Sequence, residues 1–138
     1  MSAEFVFVNE VGPRDGLQNQ KTILGSDKRL QLIHQLIDAN IPGIEVASFV
    51  NPKAVPAMAG ANEIVQGLEK SNGCEISVLV PNMKGFELAS KAGAQVITVV
   101  PSATETMNQK NINMSLDETI ASSCNILKSA KESNLQTR

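Results

Sequence analysis

Two periods of apolar residues alternate along this chain. Short apolar runs, β-prone and too brief for helices, predict strands over 5–8 (Phe5-Val6-Phe7-Val8), 43–46, 75–80 and 96–100. Between them, apolar residues recur at helical spacing. Leu30, Ile33, Leu36 and Ile37 predict a helix over 27–40, capped by Ser26 or Asp27 and closed by Asn40 in the left-handed region. Ile64, Val65 and Leu68 predict one over 61–70, ended by Ser71-Asn72-Gly73. Asn82 is placed to cap a third over 83–92. The last helix opens on the capping box Ser115-Leu116-Asp117-Glu118, with Leu116, Ile120, Cys124, Leu127 and Ala130 as its apolar stripe, and ends near Ser133-Asn134. Leu135-Gln136-Thr137-Arg138 reads as the opening of a fifth strand.

Four strand-helix units of this kind predict an α/β fold with a parallel sheet and right-handed connections. Helix stops precede buried strands at Ala39-Asn40 and at Ala92-Gly93, a faint internal echo whose spacing is too uneven for a solenoid.

The connections are less ordinary than the elements. A strand-to-helix loop needs only about two to six residues, yet the first runs from about Asn9 to Ser26 and crowds Glu10, Arg14, Asp15, Gln18 and Asn19 into ten positions. Pro13-Arg14-Asp15-Gly16 alone is what any exposed turn requires; its neighbours make it a candidate site. It follows a strand, at the carboxyl edge where open α/β sheets and barrels bind ligands. Two further long loops follow the second and fourth strands. One, from Ala47 to Pro56, is stiffened by an Asn51-Pro52 step. The other, from Pro101 to Met114, ends in Asn111-Ile112-Asn113. Glu45 stands among apolar neighbours in the second strand, a costly position unless it is paired, and Arg14 is the natural partner.

Charge narrows the partners. With 12 basic and 14 acidic residues the chain has no basic surplus, so no nucleic acid is expected. No apolar run approaches the ~18 residues of a membrane span, and no membrane is expected. Only Met1 to Glu4 precede the first strand, which leads us to expect no leader and a cytoplasmic, bacterial setting. Cys74 and Cys124 have neither disulfide nor metal spacing and are expected to be reduced, buried thiols. The single histidine, His34, lies mid-helix and is expected to be packed or half-exposed rather than a metal ligand.

The stretch Glu10 to Asn19 resembles the signature of the hydroxymethylglutaryl-CoA lyases, within the metal-dependent lyase group of TIM barrels that also holds the isopropylmalate and homocitrate synthases. The similarity continues through Ile44 to Val50, Pro52-Lys53, Val55-Pro56, Pro81 to Glu87 and Lys110 to Asn113, and so covers nearly the whole chain. The Gly-Pro-Arg-Asp-Gly-Leu-Gln-Asn form favours the lyase over the synthases, which usually carry Leu-Arg-Asp-Gly-Glu-Gln. An eight-stranded barrel needs about 250 residues, so the resemblance implies the amino-terminal half, about four βα units, of a TIM (β/α)8 barrel, with 1–138 a partial catalytic domain truncated at the start of strand 5.

The implied reaction is retro-Claisen cleavage of 3-hydroxy-3-methylglutaryl-CoA to acetoacetate and acetyl-CoA, in leucine catabolism. It requires a divalent cation, Mg2+ or Mn2+, and Asp15 offers a hard oxygen ligand. Arg14, fixed in charge, is suited to the developing enolate. Glu45 would hold Arg14 or assist proton transfer. The resemblance implies that Gln18, Ser48 and Asn111, with Arg14, contact the acyl-CoA substrate, Asn111 reaching its CoA moiety. A His-x-His pair, an Asn and a loop cysteine that complete the family's site from later strands have no counterpart here, so the 138 residues alone are expected to bind the cation weakly and turn over slowly or not at all. The full-length protein is expected to be a homo-oligomer, a dimer. Two other readings stay open: a condensing enzyme or aldolase of the same group, and a non-catalytic half-barrel that pairs with another chain.

Overall fold

Five short strands, all parallel, form one sheet in the order β1-β2-β3-β4-β5 in this computed structural model, which describes residues 4, 6–68 and 73–138. The strands are β1 (Asn9–Glu10), β2 (Gly43–Ser48), β3 (Glu75–Leu79), β4 (Val96–Thr98) and β5 (Gln136–Thr137). Helices α1 (Ser26–Asp38), α2 (Ala61–Gln66), α3 (Met83–Ala92), α4 (Glu105–Ile112) and α5 (Leu116–Glu132) lie between them. Each strand pairs with its predecessor in sequence, the connectivity of a barrel wall.

On one face of the sheet the guanidinium of Arg138, just after β5, lies 5.6 Å from the centre of the Phe7 ring, just before β1, while bonding Glu75 at 2.7 Å. With its consecutive, all-parallel strand order the sheet has the rolled architecture of half a TIM barrel.

The core sits outside the roll. Ile44, Val46, Ala47, Val78 and Ile97 meet Ile33 of α1, Ile64 and Val65 of α2, Phe86 and Ala89 of α3, and Ile126 and Ala130 of α5, all buried. Each such side chain removed from water contributes about 1.5–3 kcal/mol for the larger aliphatics. The residues in register on the other face are more polar: Asn9, Glu45, Ser77 and Thr98.

Several expectations need correction. Pairing of β1 begins at Asn9, and Val6, Phe7 and Val8 are 72%, 41% and 58% exposed, not buried on both faces; Phe5, the start of the predicted run, lies outside the described residues. Phe7 has a specific role, because a Cβ at Gly43 would meet its ring at 2.6 Å and Asn9 Oδ1 at 2.8 Å. Only glycine lets β1 sit this close to β2. The N-cap of α1 is Gly25, without a side-chain cap, although Asn40 closes the helix in the left-handed region as expected. The 101–114 loop contains α4, capped by Thr104. α2 closes at Gln66 with Gly67 as its C-cap, short of the predicted end at residue 70, and residues 69–72 lie outside the described residues.

α5 begins on its predicted capping box and buries Ala130 of the predicted stripe, but the rest of its buried side is another set. Thr119 and Ile126 are buried with Ala130, whereas Ile120, Cys124 and Leu127 are exposed. Both sets recur at helical spacing, and packing chose the smaller, more polar one. Cys124 is therefore not buried; Cys74 is half-buried, and burial first, then the Glu75 carboxylate, push its thiol pKa up. His34 is exposed on α1. No helix among the described residues is long and apolar enough to cross a membrane.

Candidate functional site

The chain leaves β1 through a single π-helical turn, Gly12–Gly16, rather than a simple tight turn. Three successive N–H groups, of Arg14, Asp15 and Gly16, converge on the Val11 carbonyl at 3.1, 2.7 and 3.3 Å. Pro13 is buried at the first turn, where its missing N–H costs nothing, and the Gly12 N–H donates to Glu10 Oε1 at 2.6 Å. Such turns are rare and mostly single, and they recur at functional sites. This one projects Arg14 and Asp15 together.

Arg14 links the turn to β2. Its Nε donates to Glu45 Oε1 at 2.5 Å and its Nη1 to Asp15 Oδ1 at 2.8 Å. The two carboxylates are unlike: the Glu45 side chain is 4% exposed, that of Asp15 57%. Glu45 is therefore the anchor, a buried carboxylate compensated by a charge-assisted bond. These bonds use two of the guanidinium's five N–H donors, leaving three without a partner among the described residues.

Ser48 joins Glu45 on the inner face through an irregularity. Glu45 is opposite Ser77 and Ser48 is opposite Leu79, so both share the face of Ser77 and Leu79 although they stand three positions apart. A β-bulge between Glu45 and Ala47 supplies the extra residue, and Val46 and Ala47 both enter the hydrophobic core. Ser48 Oγ is fully buried with no partner among the described residues, and the same holds for Thr98 Oγ1, which is in register with Leu79 from the other side. Thr98 escaped the sequence reading, though a lone polar residue between Ile97 and Val99 carries the same signal as Glu45.

Gln18 and Asn111 meet elsewhere on the edge. Both line a cavity of about 340 Å3 with Leu79, Pro81 and Val99, beyond the carboxyl ends of β3 and β4. Asn111 is in the last turn of α4 and exposed, and α4 is held by Asn108, whose buried amide clamps Ser102 by both its N–H and its C=O. Asn82 caps α3 by accepting from Gly85 N at 2.9 Å. The fold thus brings Arg14, Asp15 and Glu45 into direct contact and groups Gln18 with Asn111, while Ser48 shares a face with Glu45 without a hydrogen bond to the trio.

For a divalent cation, Asp15 offers an exposed hard-oxygen donor with Oδ2 free of hydrogen bonds among the described residues. No group of three or more His, Cys, Asp or Glu side chains among those residues could complete a shell. Asp15 therefore offers one hard-oxygen donor, and the described residues supply no complete shell around it.

Comparison with known proteins places this geometry. The chain is 43% identical over 133 residues to the mitochondrial hydroxymethylglutaryl-CoA lyase of Bos taurus, covering 96% of this chain. It is 42% identical over 135 residues to the human 3-hydroxy-3-methylglutaryl-CoA lyase named as cytoplasmic. It spans 41% and 36% of the lengths of these two relatives. Among solved structures, the HMG-CoA lyase of Brucella melitensis superposes with a TM-score of 0.93 at 40% identity, over 99% of this chain and 48% of that one. The Acinetobacter baumannii HMG-CoA lyase, solved with coenzyme A and 3-methylmalate, superposes at 0.90 with 33% identity, over 99% and 45% of the two chains. A family model described as HMGL-like matches residues 6–138, and the chain belongs to that family.

Proposed function

We propose that residues 1–138 carry part of the catalytic domain of a hydroxymethylglutaryl-CoA lyase, cleaving 3-hydroxy-3-methylglutaryl-CoA to acetoacetate and acetyl-CoA in leucine breakdown. The observation that carries this reading is the arginine of the π-turn held by a buried Glu45 at the carboxyl edge of a barrel wall, with three donors unpartnered among the described residues. The names of the relatives support the substrate class, and the coenzyme A complex of the Acinetobacter enzyme supports an acyl-CoA.

The reaction breaks one carbon-carbon bond. The tertiary hydroxyl loses its proton as its carbon becomes the ketone of acetoacetate, and the bond's electron pair passes to the acetyl-CoA fragment as an enolate, which then takes up a proton. Arg14 meets the developing negative charge on the thioester oxygen with donors that Glu45 keeps oriented, so little reorganisation is needed during reaction. A divalent cation, Mg2+ or Mn2+, held in part by Asp15, would lower the hydroxyl's pKa and orient the substrate. The buried hydroxyl of Ser48 is available to a substrate oxygen, and Gln18 and Asn111 to the CoA portion. The enzyme would act in the cytoplasm as a dimer.

The test is a chimera in which residues 6–138 replace the matching stretch of the bovine lyase. Equal yields of acetoacetate and acetyl-CoA are expected, whereas the 138-residue chain with Mg2+ should show no turnover. A folded chimera that binds the substrate without cleaving it, or that instead consumes acetyl-CoA in a condensation, overturns the reading.

A further inference from the structure

Arg29 is a costly side chain that the proposed reaction leaves unused. It is 1% exposed, and no carboxylate among the described residues bonds it. It occupies the first turn of α1, where the helix dipole is unfavourable to a cation. Burial pushes its pKa below the usual arginine value. A methionine or leucine would fill comparable space without these penalties, so the guanidinium must be judged by what it holds.

It holds two pieces of backbone. Nη1 donates to the Ala59 carbonyl at 2.9 Å and Nη2 to the Val46 carbonyl at 3.4 Å, with Met58 Sδ 4.0 Å from Nη2. Val46 belongs to the β2 bulge, where the extra residue leaves the ladder locally broken and a backbone group in need of a partner. Ala59 closes the 3-10 turn Pro56–Met58, at the far end of the segment that leaves β2 after Ser48. One side chain therefore ties the bulge that puts Glu45 and Ser48 on a common face to the end of the arm that follows them.

We propose that Arg29 is a positioning residue for this site, fixing the β2 bulge and through it the direction of Glu45 and the seat of Arg14. The role rests on the lyase reading for its purpose but not for its geometry. The bulge is the device that changes the face of the strand, and a bulge without its carbonyl partner relaxes toward regular pairing, turning Ser48 toward the helices. Lysine keeps the charge but lacks the fork that reaches two carbonyls at once.

The Arg14 Nε–Hε resonance in 15N-labelled 138-residue chain reads this directly, because that proton bonds Glu45; Arg14→Lys assigns it by its loss. In Arg29→Met, its exchange with water is expected to rise about ten-fold, since protection reports local opening, with Arg29→Lys intermediate. Ile126→Ala, which opens a cavity in the distant α5 contact, serves as the control for general destabilisation and should leave the resonance unchanged. If Arg29→Met fails to fold, the lysine variant against the same control decides. An Arg14 resonance unmoved in the folded arginine variants, or moved equally by Ile126→Ala, overturns the proposal. No substrate is needed, so this outcome and that of the chimera are independent.

Discussion

Arg14 Nε and Glu45 Oε1 lie 2.5 Å apart across 31 positions of sequence, and the carboxylate end of that bond is almost completely withdrawn from solvent. The pair does not stand or fall symmetrically. Removing the arginine strands a buried charge, whereas changing the glutamate to an amide leaves an acceptor in place.

Arg14→Met is therefore expected to lower unfolding stability by about 3 kcal/mol, the scale for breaking a buried pair. Glu45→Gln should cost less, and the double variant should recover part of the loss. Urea denaturation of the four proteins gives the coupling directly. Strict additivity would show that Glu45 is not constrained by Arg14.

The orphan hydroxyls make the opposite kind of prediction. Thr98→Val removes a buried polar group without changing side-chain shape, and stability should rise by roughly 1 kcal/mol, since an unsatisfied buried group costs about 1–3 kcal/mol. Ser48→Ala should gain a comparable amount. Thermal unfolding checks both, and in the chimera the gain at Ser48 should be accompanied by a higher KM. A loss of stability in either would mean that the hydroxyl already has a partner.

The capping box of α5 should titrate. The Glu118 carboxylate is held below its usual value near 4.5 by the Ser115 N–H first and the Ser115 hydroxyl second. Because the folded-state pKa is the lower one, the stabilisation is complete above the unfolded value and disappears as pH falls through the folded value. The melting-temperature advantage of the natural chain over Glu118→Gln should accordingly be constant near neutrality and shrink below about pH 4.5. An advantage that grew on acidification would contradict the assignment.

Asn108 carries the fourth prediction. Its buried amide satisfies both backbone groups of Ser102, so Asn108→Ala should cost about 2 kcal/mol, two hydrogen bonds at ~1 kcal/mol each. Hydrogen exchange in α4 should accelerate, while that of β2 and β3 stays slow. Unchanged exchange in α4 would show that the helix is held by other contacts.

Periodicity found the sheet and most helices because their buried positions are spaced as the elements demand. It misplaced β1 because an apolar run does not say where pairing begins; Phe7 packs onto Gly43 while Asn9 and Glu10 make the ladder. It found Ala130 of the buried side of α5 but misassigned Ile120 and Leu127, because they recur at the same interval as Thr119 and Ile126, and only tertiary packing distinguishes them. The Arg14–Glu45 contact was legible, since a charge inside a strand needs a partner and one stood at the next strand's end. The bulge was not, because the sequence places the strand's end at Val46, whereas β2 runs on to Ser48 with Val46 and Ala47 both in the core. Arg29 could have been found, being one helical turn before Ile33 on the buried side of α1.

The consecutive order of the strands also governs how the molecule is assembled in time. Every ladder joins a strand to the one made just before it, so no segment waits for a distant partner, and loop-closure costs stay small. A ribosome that has released β1, α1 and β2 has already delivered Arg14, Arg29, Glu45 and Ser48. The chemistry-bearing corner of this fold can take shape while the rest of the chain is still being translated.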